Sequence, residues 1–254
     1  MLHRRHGLPE DWEAIAGRVG WWNSFAEDEQ RALAEITDWL LRHKHWEAAH
    51  DFTLTDEITV TIAVQAAMLV LGLDAADFRE VSAVIVYPSA MQSRGVSPGP
   101  ISGTVSDGMI PILGEAHSSR GPLLLAWDET IAAAHHPGRG HNVVFHEFAH
   151  KLDMLFDDVM DGTPPLGQRV ELPRWVEVCT EAYTALAAGA DRPPLQPYGA
   201  TNPAEFFAVA TEAFFDVPGA LAHHEPNLYE ILAGYYQQDP ATRADPPAPR
   251  SGPA

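Results

Sequence analysis

The chain is poor in positive charge. Its 254 residues include 16 Lys and Arg against 35 Asp and Glu, which gives a formal net charge of -19 at pH 7. Lysine occurs only at Lys44 and Lys151. A surface this acidic repels phosphate backbones and anionic lipid headgroups, so we expect no direct binding to nucleic acid or to a membrane surface.

Cysteine and long hydrophobic runs are also scarce. The single cysteine, Cys179, excludes an internal disulfide and is typical of a protein from a reducing compartment. The most apolar segment, Ile58–Leu73, is too short to span a bilayer and is interrupted by polar residues. It instead predicts a buried core helix that is capped by Thr55 or Asp56 and ends at Gly72.

The N-terminal and C-terminal segments contain no candidate functional residues. Residues 1–7 are basic, but no apolar run follows them, so no signal peptide is visible and we expect a cytoplasmic protein. A chain of this length with 46% hydrophobic residues suffices for one sizeable core. We predict a single domain over residues 1–240 and a Pro/Ala-rich disordered tail at 241–254.

A chemically informative motif, His-Glu-x-x-His, occupies residues 146–150. Four residues make about one helical turn, so His146 and His150 project from one face and can both bind one zinc ion. Glu147 lies about 100° around the helix from His146, where it can take a proton from water without being a ligand. The motif therefore predicts a zinc hydrolase. The alternative is a core helix with two hydrogen-bonded histidines, which is costly because a carboxylate beside them lacks a counter-charge.

A zinc site of this kind needs a third protein ligand and an open position. Asp153 lies about 10 Å along the helix from His146, which is too far for the same ion but suitable for supporting a histidine. Glu205 and Glu212 lie on one stripe of an apolar helix that we expect to begin at Asn202-Pro203. Either glutamate can be the third ligand on this reasoning.

The remaining pattern predicts helices and short strands. Helices are expected at Glu27–Lys44, Leu172–Ala188 and Leu228–Gln237. Strands are expected at Val81–Pro88, Ile101–Val105, Met109–Leu113 and Pro122–Trp127. The last of these lies directly before the His-Glu-x-x-His helix, which we call the metal helix. The predicted fold class is α+β, a zincin-like metallopeptidase fold that is mostly helical with a small mixed sheet beside the His-Glu-x-x-His helix.

Several motifs, in a constant order between about residue 20 and residue 240, carry a family resemblance. They are Leu54–Glu57, Leu71–Leu73, Val84–Pro88, Gly121-Pro122 with the strand ending at Trp127, His146–Asp153, Tyr198–Val209 and Tyr235–Pro240. In this combination the chain resembles the Mlc titration factor A family of zinc peptidases, which are related to the gluzincins.

The resemblance implies a metallopeptidase with aminopeptidase-type activity on a peptide substrate. It places the third ligand at Glu205, which with His146 and His150 completes a site for one zinc ion per chain. Some members of the family also bind a transcriptional repressor of glucose uptake, so a regulatory binding protein that retains the zinc fold is the alternative function. The intact Glu147 favours the enzyme, because binding alone needs no base.

Further candidate residues remain around this centre. Relatives can carry another metal-contacting histidine in the loop before Gly121-Pro122; Ser106 or Asp107 aligns there, and His117 is the only histidine of that loop. Tyr198 precedes Glu205 by seven residues and can donate to a developing oxyanion, or it is a packed loop tyrosine. Other histidines are expected to be surface or loop residues: His135, His136, His141, His223 and His224.

Overall fold

The computed structural model describes residues 7–49, 52–89, 96–98, 105–107, 121–155 and 159–243. Within these ranges the helices are α1 Trp12–Ala16, α2 Glu27–His43, α3 Asp56–Val70, α4 Trp127–His135, α5 Val143–Asp153, α6 Leu172–Ala187, α7 Pro203–Asp216, α8 Pro218–His224 and α9 Pro226–Tyr236. The strands are β1 His45–Ala48, β2 Ala83–Tyr87, β3 Val96–Pro98, β4 Val105–Asp107 and β5 Leu123–Ala126.

Helix α3 forms the centre of the core. Every residue from Ile58 to Val70 is buried, as expected for a helix that is apolar on all sides. Thr55 is the N-cap, and its hydroxyl oxygen accepts from the backbone N–H of Ile58. The predicted core helix is therefore confirmed. Helices α1, α2 and α5 pack around it, which places the His-Glu-x-x-His helix against the most buried element of the fold.

The sheet beside α5 is parallel. Its strands have the order β1-β2-β5, with Trp46 opposite Val84 and Val84 opposite Leu123. The prediction of a mixed sheet is wrong for the described residues, because α3 returns the chain between β1 and β2 in the crossover that parallel pairing requires. A separate antiparallel pair is formed by β3 and β4.

Some element boundaries differ from the sequence prediction. Strand β5 confirms the predicted strand at residues 122–127, but α4 separates it from the metal helix, so the two are not adjacent in sequence. Strand β1 and helix α8 were not predicted, because each is short and lacks a periodic pattern. The predicted strand Met109–Leu113 lies outside the described residues, as does Ile101–Val105 except for Val105, which begins β4.

The C-terminal end of the described chain packs against the start of α2. After α9 a short turn spans Pro240–Thr242, and Arg243 then pairs with Glu29 of α2 at 2.8 Å and stacks over the Phe25 ring. The rest of the predicted tail, residues 244–254, lies outside the described residues. Among the described helices, none has both the length and the apolar character that crossing a bilayer requires.

A close approach between α3 and α9 yields the first prediction. A Cβ atom added to Gly72 would overlap the carbonyl oxygens of Tyr236 and Gln237. We expect Gly72→Ala to lower the free energy of unfolding by about 1–3 kcal/mol, because backbone must move to make room. In the matched control Gly219→Ala, the added Cβ meets nothing within 4 Å, so no loss is expected. Urea denaturation followed by tryptophan fluorescence measures both, and equal losses would contradict the packing described here.

Candidate metal centre

Helix α5 begins at a side chain that is anchored to the core. Asn142 Oδ1 accepts from the backbone N–H groups of Val144 at 3.0 Å and Phe145 at 3.2 Å. Its Nδ2 donates to Oε1 of buried Gln65 on α3 at 2.8 Å, and Gln65 Nε2 donates to the Thr61 carbonyl at 3.0 Å. The polar residues that interrupt the apolar α3 segment therefore fix the first turn of the metal helix.

Helix α7 begins as the sequence predicts. Asn202 is the N-cap, with Pro203 in the first turn, and the Asn202 side chain accepts from the Glu205 backbone N–H at 3.0 Å. Glu205 thus lies in the first helical turn, where the helix dipole favours a carboxylate. Since α5 and α7 pack against each other, this turn faces the two histidines.

Three donor atoms converge between α5 and α7. His146 Nε2 lies 3.0 Å from Glu205 Oε2 and 3.1 Å from His150 Nε2, and His150 Nε2 lies 3.4 Å from Glu205 Oε2. Ligand atoms of a tetrahedral zinc ion, each about 2.0–2.1 Å from the metal, are themselves about 3.3 Å apart. The spacing of the three side chains therefore fits one tetrahedral ion.

The surroundings of His146 favour positive charge at its Nε2 atom. His146 Nδ1 lies 2.6 Å from Oε1 of the buried Glu212 carboxylate, which can only accept a hydrogen bond when ionised. With a proton on Nδ1, the Nε2 atom beside Glu205 Oε2 and His150 Nε2 can take either a second proton or a metal ion. Burial lowers the pKa of His146, but the Glu205 and Glu212 carboxylates outweigh it and raise the pKa to about 10. The cluster thus attracts either a proton or a metal ion.

The two glutamates stay ionised although Glu212 is buried and Glu205 is half-buried. Burial raises the pKa of each carboxyl, but hydrogen bonds from histidines outweigh it and hold the pKa of both below the usual range. Glu205 receives these hydrogen bonds from His146 and His150, whereas Glu212 receives them from His141 and His146. An ionised Glu205 is the form that a metal ion requires of a ligand.

Comparison with known proteins identifies the family of this chain. Residues 1–237 match the model of the Glucose-regulated metallo-peptidase M90 family. The chain belongs to this family. It is 36% identical over 237 residues to an uncharacterized protein of Synechocystis sp., covering 92% of this chain and 86% of the relative. It is also 30% identical to the Mlc titration factor A of Pectobacterium atrosepticum, with 92% and 88% covered, and to that of Serratia proteamaculans, with 85% and 83% covered.

Membership of a metallo-peptidase family implies a metal ion, and among the described residues the group formed by His146, His150 and Glu205 is suited to hold it. The fourth ligand considered from the sequence is not placed by the structure. Asp107 is the last residue of β4, where only the backbone is described, and His117 lies outside the described residues.

The Glu212 carboxylate contacts three groups beside the candidate metal centre. Its Oε1 atom lies 2.6 Å from His146 Nδ1. Its other oxygen, Oε2, accepts from the Asn142 backbone N–H at 2.5 Å and lies 2.9 Å from His141 Nδ1. His141 is a loop residue, as expected from the sequence, but its ring belongs to this buried network. No periodic pattern marks a loop histidine, so the sequence could not reveal the contact.

Among the described residues Asp153 makes no hydrogen bond to a histidine, although His150 acts electrostatically on its carboxyl group. Its Oδ2 accepts from the Gly162 backbone N–H at 2.9 Å, and the Gly162 carbonyl accepts from Trp175 Nε1 at 3.1 Å. Within the described part of the chain, Asp153 Oδ1 and His150 Nδ1 have no hydrogen-bond partner. Asp153 ends α5, so its carboxylate turns to the following loop, and burial raises its pKa to about 6.

Tyr198 and Glu147 lie beside the three candidate metal-binding side chains. Tyr198 belongs to the turn Pro197–Ala200 before α7, and its ring centroid is 6.2 Å from that of His146. Burial and the nearby Glu205 carboxylate raise the pKa of Tyr198, so its hydroxyl remains protonated. Glu147 is half-buried on α5, and its charge acts on both His146 and Tyr198.

The loop between α4 and α5 is held by Asp216, the last residue of α7. Its carboxylate accepts from the backbone N–H groups of Gly138 at 3.0 Å, Arg139 at 2.8 Å and Gly140 at 2.6 Å, and from Trp21 Nε1 at 3.4 Å. Gly138 and Gly140 have φ of +90° and +68°, which glycine adopts without strain. The loop that leads into the metal helix is thereby fixed to the helix that carries Glu205.

This contact yields the second prediction. We expect Asp216→Ala to lower the free energy of unfolding by about 2–4 kcal/mol, since the N–H groups of residues 138–140 lose their acceptor. Asp216→Asn keeps one acceptor oxygen and should lose less. The control Asp191→Ala, at an exposed position, should change stability by less than about 0.5 kcal/mol. Chemical denaturation of the metal-free proteins tests this, and an Asp216→Ala loss no larger than that of the control would contradict it.

Proposed function

We propose that the protein is a zinc-dependent metallopeptidase that hydrolyses peptide bonds and acts as an aminopeptidase. The observation that supports this most directly is the convergence of His146, His150 and Glu205 at mutual distances of 3.0–3.4 Å, with Glu147 on the neighbouring face of α5. The gluzincin-like ligand set of two histidines and one glutamate is part of the same proposal.

Zinc is the metal that we propose, one ion per chain. Two imidazoles and one carboxylate form the three-ligand set found in catalytic zinc sites that keep one position open for reaction. The same nitrogen-rich set is less suited to magnesium or calcium, which prefer oxygen ligands.

The proposed reaction assigns separate tasks to the side chains around the ion. When bound, zinc polarises the scissile carbonyl and lowers the pKa of water toward 7. Glu147 accepts the proton of the attacking water and delivers it to the leaving amine. Tyr198 donates its hydroxyl hydrogen to the carbonyl oxygen as that oxygen gains negative charge. The position of Tyr198 beside His146 and Glu205 supports this role.

A regulatory role is the second candidate. The relatives from Pectobacterium atrosepticum and Serratia proteamaculans carry the name Mlc titration factor A, so a transcriptional repressor protein is a candidate partner for this chain. A binding protein needs no general base, and Glu147 therefore separates the two functions.

We also propose the cytoplasm as the compartment, in line with the single Cys179.

The third prediction tests the enzyme. We expect Glu147→Gln to keep its fold and its zinc but to lose peptidase activity by at least ~100-fold, because the amide cannot accept the proton. The substrates are short peptides with free N-termini and the same peptides with acetylated N-termini. Preferential cleavage of the free form supports an aminopeptidase, whereas equal cleavage supports an endopeptidase.

The control is Glu181→Gln, the same change at an exposed glutamate of α6, which should leave activity unchanged. Parental activity in Glu147→Gln would contradict the proposed role of Glu147. A zinc-loaded parent protein that cleaves none of the peptides would contradict the enzyme and favour the regulatory role.

A further inference from the structure

The carboxylate of Glu212 is shared by two histidines of unlike position. His146 is fully buried and belongs to the proposed metal site, whereas His141 lies in the loop before α5 with 30% of its side chain exposed. Glu212 Oε1 faces His146 Nδ1 at 2.6 Å and Oε2 faces His141 Nδ1 at 2.9 Å. The carboxylate thus forms a bridge from the protein surface to a metal ligand.

We infer that His141 is a positioning residue for the metal centre, acting through Glu212 on the orientation of His146. The inference rests on the ligand set proposed above. It assigns His141 a role at the metal centre that is exercised through Glu212.

The loop geometry supports a fixed contact and not a chance surface pair. An exposed ion pair contributes little, because its partners move freely and are screened by water. Here one partner is buried in the core, and the loop that carries His141 is bonded to Asp216 on its N-terminal side and to Glu212 through Asn142 on its C-terminal side. The His141 ring is therefore held next to the carboxylate by backbone contacts on both sides.

The electrostatics indicate what the contact accomplishes. When His146 Nε2 binds a cation, Nδ1 must keep its proton, which requires an ionised acceptor in the correct plane. Three nitrogen atoms lie within hydrogen-bond distance of the Glu212 carboxylate and together fix its position: His146 Nδ1, the Asn142 backbone nitrogen and His141 Nδ1. Of these, His141 is the donor that can be replaced without changing either the metal ligand or the backbone.

The experiment measures zinc affinity by chelator competition on purified full-length protein. It compares variants whose side chains at position 141 differ in whether they can donate a hydrogen bond to Glu212. We expect His141→Leu to weaken zinc binding by about tenfold, the lower end of the effect of outer partners of metal ligands. His141→Asn places an amide N–H near the position of Nδ1 and should recover most of the affinity. The control His136→Leu makes the same change at an exposed histidine five residues earlier and should bind zinc like the parent.

A coupling measurement shows whether the effect runs through Glu212. In a Glu212→Gln background, His141→Leu should produce almost no further loss of zinc affinity. The spectrum of the Co²⁺-loaded protein gives a second readout, and we expect His141→Leu to shift its visible bands while His136→Leu leaves them unchanged.

The outcomes that overturn the inference are distinct from failure of the metal site. Parental zinc affinity in His141→Leu, or an equal loss in the Leu and Asn variants, would contradict the positioning role. So would an undiminished loss in the Glu212→Gln background. The ligand set is tested separately by His150→Ala, which should abolish tight zinc binding; if it does not, the proposed site itself is wrong.

Discussion

The buried contact between Glu212 and His146 is the interaction on which the geometry of the centre depends. An ionised carboxylate in a protein interior is stable only if donors compensate for its lost hydration. Glu212 obtains them from α5 and from the loop before it, so the carboxylate joins the helix of the histidines to the helix of Glu205. The same contact fixes the proton on His146 Nδ1 and leaves Nε2 for a cation.

Helix α7 distributes three carboxylates along one stripe with different tasks. Glu205 in its first turn faces the two histidine Nε2 atoms, Glu212 two turns later holds His146 and the N-terminus of α5, and Asp216 at the end holds the loop backbone. The spacings of seven and four residues correspond to about 10 Å and 6 Å along the axis. One helix therefore sets the positions of the proposed ligand Glu205, of Glu212 and of the loop before α5.

Local chemistry explains which features the sequence predicted. The histidine pair, the Asn202-Pro203 helix start and the apolar α3 segment each depend on residues that are close in sequence, and the structure confirms these elements. The choice between Glu205 and Glu212 depends on how α5 and α7 pack, so periodicity left it open and only the family resemblance favoured Glu205.

The features that the sequence missed depend on contacts between distant residues. The parallel pairing of the sheet follows from the crossover through α3, and α4 is short enough to be hidden between a strand and a loop. Asp153 was expected beside a histidine, but the backbone N–H of Gly162 provides a donor that no pattern in the sequence indicates. His141 carries no signal because its partner is 71 residues away in the chain.

The central claim is that His146, His150 and Glu205 bind one metal ion while Glu212 accepts a hydrogen bond from His146 Nδ1. Anomalous diffraction at the zinc absorption edge, from crystals of the full-length protein grown with zinc, tests it most directly. The account predicts one peak per chain, about 2.0–2.1 Å from the Nε2 atoms of both histidines and from a carboxylate oxygen of Glu205. A peak coordinated by Glu212 in place of Glu205, or no peak between α5 and α7, would contradict the account.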